Sequence, residues 1–85
     1  MLSLFRNAGQ SIYLDDKATG ENHEIKVISH ADKSAKLKVG DREIEVVRSQ
    51  SFNVCDGAFG VLVDIDRGVK IAIHAENRYR ISRSE

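Results

Sequence analysis

The chain has 85 residues, 41% of them hydrophobic, which bounds it to one domain or two very small halves and makes disorder unexpected. Thirteen Lys and Arg balance thirteen Asp and Glu, so bulk positive charge gives no argument for nucleic acid and specific residues must supply any such binding. One cysteine, Cys55, cannot close an intrachain disulfide, and no apolar run approaches the roughly 20 residues of a membrane helix.

Short apolar-alternating runs follow one another along the chain and predict half-buried strands. Leu2 and Leu4 alternate with Ser3 and Phe5 and end at Arg6. Ile12 and Leu14 flank Tyr13, and Ile25 and Val27 flank Lys26, with Ile28 blurring the period. Ala35, Leu37 and Val39 alternate with Lys36 and Lys38, the cleanest two-residue period. Ile44 and Val46 flank Glu45 and lead to Arg48; Phe52 and Val54 flank Asn53. Val61, Val63 and Ile65 form a stripe, as do Val69, Ile71 and Ile73. Tyr79 and Ile81 alternate with Arg80 and Ser82 and end at Arg83. Between the runs, Ala8-Gly9, Asp15-Asp16, Thr19 to Asn22, Gly40-Asp41, Asp56-Gly57 and Asp66 to Gly68 supply reversals. No segment carries a helical period. The expectation is an all-β domain of about nine short antiparallel strands, whose edges must be hidden by closure, intertwining or dimerisation.

The chain also resembles itself. Gln10 to Gly20 aligns with Gln50 to Gly60, with Gln, Ser, Asp, Ala and Gly coinciding. Upstream, Leu2–Arg6 matches Ile44–Arg48; downstream, Ala35–Val39 matches Val69–Ile73. A third Arg-ended strand, Tyr79–Arg83, echoes Ile44–Arg48. The units are 1–41 and 44–75, with a closing strand 79–83. The strand ending at Arg48 belongs to both units.

Met1-Leu2-x-Leu4-x-Arg6-x-x-Gly9-x-x-Ile12-x-Leu14 resembles the start of the carbon storage regulator family, bacterial RNA-binding translational regulators. The tail from Gly68 to Glu85 resembles that family's fourth and fifth strands. The resemblance implies an intertwined antiparallel β-barrel or sandwich. It also implies a site joining the first strand of one subunit to the fifth of another, which holds a single-stranded GGA in a hairpin loop. Carried over by position, Leu4 and Arg6 supply the first-strand half, and Ile81 and Arg83 the fifth-strand half. Arg48 corresponds to Arg83 in the internal copy, or to Arg6 if its strand plays the first-strand role. The repeat adds that one chain is a fused, pseudo-dimeric unit, with a homodimer as the other arrangement. Asn7 departs from the family, which has a second basic residue there. Ala75-Glu76 replaces the family's Ala-Pro, and the family's C-terminal helix is missing.

Other constellations point elsewhere weakly or not at all. His23, His30 and His74 lack metal spacing. Cys55 reads as a turn residue, and Asp64 and Asp66 read as neighbours on one strand face. Lys33, Lys36 and Lys38 form a basic stripe, and no phosphate loop or nucleophile elbow is present. The opening residues lack a signal-peptide layout. The functional expectation is a cytoplasmic, non-enzymatic, cofactor-free regulator that binds GGA-containing mRNA leaders or a small regulatory RNA, with no membrane partner. The alternative is a diverged family member acting as a protein-interaction module or as an antagonist of a standard regulator.

Overall fold

A computed structural model describes residues 2–83, which form strands β1 (Leu2–Arg6), β2 (Ser11–Asp16), β3 (Asn22–His30), β4 (Ser34–Val39), β5 (Arg42–Val47), β6 (Ser51–Cys55), β7 (Ala58–Ile65), β8 (Val69–Ala75) and β9 (Tyr79–Arg83). All pairings are antiparallel. One sheet has the order β1-β8-β7-β6 and the other β5-β4-β3-β2-β9. The chain ends cross over: β1 pairs with β8, and β9 pairs with β2. This interleaving ties each half of the sequence into both sheets. The inner faces share one core, with Ile12, Leu14, Ile25, Val27 and Leu37 from one sheet and Leu62, Val69, Ile71 and Ile73 from the other. Alternation assigns most of these side chains inward because successive strand side chains point to opposite faces. β7 departs from the expected stripe of Val61, Val63 and Ile65: Leu62 is fully buried and Val63 is 42% exposed, because the bulge between Leu62 and Asp64 reverses the faces along the strand.

The two halves repeat their local geometry. Gly9 N–H donates to Val27 O and Val27 N–H to Gln10 O; forty residues on from Gly9 and Gln10, Ser49 N–H donates to Leu62 O and Leu62 N–H to Gln50 O. The side chain of Gln10 accepts from Asn7 N–H at 2.9 Å, and that of Gln50 accepts from Val47 N–H at 3.0 Å. Both corners carry a residue of positive φ, Gly9 at 90° and Ser49 at 69°. Opposite each corner the ladder slips, between Val27 and Ser29 and between Leu62 and Asp64. Each slip is a bulge that bends its strand over the corner, and the first accounts for the break in period at Ile28.

Register refines the internal match. Leu4 lies opposite Ile71, and Ile44 lies opposite Leu37, the counterpart of Ile71. Leu4 therefore corresponds to Ile44 and Arg6 to Val46, two residues off the upstream match made from sequence. A slip of two leaves every side chain on the same face, so alternation alone cannot distinguish the two registers. β5 pairs with β4 and thereby occupies the counterpart of β1's place. Two smaller expectations change as well. Cys55 closes β6 instead of lying in a turn, and Asp66 follows the end of β7, so it shares no strand face with Asp64.

Candidate nucleic-acid interface

Leu4, Arg6, Ile81 and Arg83 lie on edge strands of different sheets. β1 runs into the corner 7–10, and β9, antiparallel to β2, brings Arg83 opposite Ile12 just beyond that corner. The ends of both strands thus arrive at the same corner. Leu4 and Ile81 are half-buried, each packed on the edge of the core. Arg83 is exposed. Arg6 differs from the sequence expectation. It is only 7% exposed, and its Nε donates to Phe5 O at 2.7 Å. The cause is the two-residue period: Arg6 shares the face of Leu4 and stands opposite the fully buried Val69. Its long stem packs inward, so it offers little surface to a ligand.

Sequence distance concealed two neighbours of this corner. The β7–β8 turn places Gly68 against Phe5, the Arg6 carbonyl and Asn7, which brings the exposed Arg67 and Lys70 to the end of β1. Only the β1–β8 pairing reveals this, since those residues are far from Arg6 along the chain.

Arg48 lies at the second corner, as the positional counterpart of Ala8 and of neither Arg6 nor Arg83. Its Nη2 donates to Ile65 O at 2.7 Å, and its Nε stands 3.2 Å from Asp64 Oδ1. It lines a cleft with His30, Ala31, Asp32, Lys33, Ile65 and Asp66. These contacts tie Arg48 to the β7 bulge, while its side chain stays about half exposed. Lys36 and Lys38, also from the basic stripe, are exposed on β4 opposite Glu45 and Glu43.

At the other end of β2 and β9, Arg78 joins three turns. Its Nε lies 3.5 Å from Asp16 Oδ2 and 3.7 Å from Glu76 Oε2, and its Nη2 donates to Asp56 O at 2.9 Å and to Tyr79 Oη at 3.0 Å. The guanidinium carbon is 5.0 Å from the Tyr79 ring centroid, and Tyr79 Oη donates to Asp56 O. Burial opposes ionisation of Asp16. Hydrogen bonds from the N–H groups of Ala18 and Thr19, together with the charge of Arg78, outweigh it and hold the carboxyl below its ordinary value. The hydrogen bond with Tyr79 leads the contributions that raise Arg78 above its ordinary value. One guanidinium here faces three carboxylates, Asp16, Asp56 and Glu76, which suits a clamp between turns, although its buried Nε makes no hydrogen bond among the described residues. The sequence offered no sign of it, because Arg78 lies in a connection with no motif.

Among the described residues no group of three or more His, Cys, Asp or Glu is arranged to hold a metal, and no helix is long and apolar enough to cross a membrane. Comparison with protein-family models, with curated proteins and with solved structures finds no match.

Proposed function

We propose that the protein is a non-catalytic RNA-binding regulator that holds an unpaired GGA, displayed in a hairpin loop of an mRNA leader or a small regulatory RNA, and so alters translation or mRNA stability. The observation that carries this reading is the meeting of two edge strands, β1 and β9, at one corner, with exposed Arg83 at the end of β9 and exposed Arg67 and Lys70 beside the end of β1. Readers of RNA sequence work chiefly on unpaired bases, through stacking and hydrogen bonds to exposed base edges. An edge strand offers N–H and C=O groups at fixed spacing for such edges, and the half-buried Leu4 and Ile81 offer the bases an apolar floor. Arg83 supplies a planar fork for a base or phosphate.

Binding of a GGA hairpin against a CCA control, at several salt concentrations, tests the reading. The GGA hairpin binds more tightly, and Arg83→Ala weakens it by about 1–3 kcal/mol. Removing one phosphate-neutralising side chain flattens the log–log salt dependence by about 0.7. Equal affinity for both hairpins, or indifference to Arg83→Ala, rejects the site.

A further inference from the structure

β6 lacks a neighbour that its counterpart possesses. The corner, bulge and register correspondences equate β6 with β2. β2 is covered on its outer side by β9, which pairs along Ile12 to Asp16. β6 ends its sheet, and among the described residues no strand pairs with its outer side. The consequence is visible in burial. Ile12 and Leu14, beneath β9, are 0% exposed, while their counterparts Phe52 and Val54 are 7% and 8% exposed. β6 itself, Ser-Phe-Asn-Val-Cys, carries no charge or proline to discourage pairing, and its one irregularity is a slip of the β6–β7 ladder between Asn53 and Cys55, next to the turn. β5 has Arg42, Glu43 and Glu45, and β9 has Arg80 and Arg83.

From this open edge we infer that β6 is a self-association strand, pairing antiparallel with β6 of a second copy of this chain to join two four-stranded sheets into one. The strand is self-complementary about Asn53. A two-fold axis there sets Phe52 against Val54 of the other copy, with no charge facing a like charge, while Cys55 lies past the slip in the ladder and outside this register. Leu62 N–H bonds to Gln50 O, so alternate residues from Gln50 face β7 while Ser51 and Asn53 turn their N–H and C=O groups outward. Asn53 O already accepts a hydrogen bond at 3.2 Å from Nη2 of Arg42, an exposed side chain reaching over from β5. That guanidinium is a displaceable cover on the edge.

Sedimentation equilibrium of the full chain from about 1 μM to about 500 μM tests this, a range suited to an interface well below standard size. The expected mass rises from one chain toward two. Asn53→Lys, which puts two like charges face to face on the axis, holds it at one chain with unchanged circular dichroism. Arg42→Ala moves the midpoint several-fold lower in concentration, and Ser3→Lys on the β1 edge leaves it in place. In the unmodified protein the amides of Ser51 and Asn53 gain protection from hydrogen exchange as concentration rises, a readout independent of any variant. A mass of one chain at every concentration overturns the inference and leaves the edge to a strand from another protein. A dimer indifferent to Asn53→Lys, or broken by Ser3→Lys, also overturns it.

Discussion

Asp16 illustrates how a single side chain is held by its surroundings. It is 5% exposed, yet Ala18 and Thr19 donate backbone N–H groups to it at 2.9 and 3.4 Å, and Arg78 faces its other oxygen. A carboxyl whose value is lowered on folding stabilises the fold fully above its unfolded value of about 4, and that contribution is lost as pH falls through the lower folded value. Asp16→Asn keeps an acceptor for Ala18 but loses the charge opposite Arg78. The melting temperature of the parent therefore falls more steeply below about pH 4 than that of the variant. Circular-dichroism melts across that range check this, and parallel acid limbs would contradict it. Arg6 and Arg83 make the complementary point. Both end an edge strand on its inward face, but one is enclosed beside Val69 and the other is open to solvent. Position in sequence did not separate them.

Among the elements, the second corner bears a backbone strain that the first avoids. Gly9 takes its positive φ without penalty, whereas Ser49 adopts φ 69° with a Cβ in place. Ser49→Gly relieves that crowding and is expected to stabilise the fold by about 1 kcal/mol, the cost of a left-handed residue. Gly9→Ser is expected to destabilise by a similar amount. Urea titrations of both variants decide it; a destabilised Ser49→Gly would mean that the hydroxyl matters more than the backbone. The corner also limits what alternation can tell. Strand existence followed from period and turn residues, and the described residues form nine strands. The length of β3 and β7 did not, because each passes through a bulge that breaks the period at Ile28 and Val63.

For the molecule as a whole, crossed strands make the two halves inseparable. β1 completes a sheet built from the second half, β9 completes one built from the first, and a single apolar cluster spans both. Unfolding is therefore expected as one transition, with the calorimetric and van't Hoff enthalpies equal. A second transition assignable to the four-stranded sheet would show that its shorter, open-edged half melts alone. Folding is expected in the millisecond-to-second range typical of strand-rich topologies, since β1 must find β8 across nearly the whole chain. Stopped-flow refolding monitors it.

Alternation of apolar residues, Gly and Asp at the reversals, and the Gln-Ser repeat at positions 10 and 50 were enough to determine an all-β chain whose halves are built alike. These are local signals, carried by residues close in sequence, and backbone geometry converts them directly into strands and turns. Tertiary structure alone decided which edges remain open, that Arg6 is enclosed, that Arg67 and Lys70 lie beside the end of β1, and that β5 takes the place of a first strand instead of covering β6. Those outcomes depend on pairing between segments distant in sequence, and a two-residue period repeats identically at every register two residues apart.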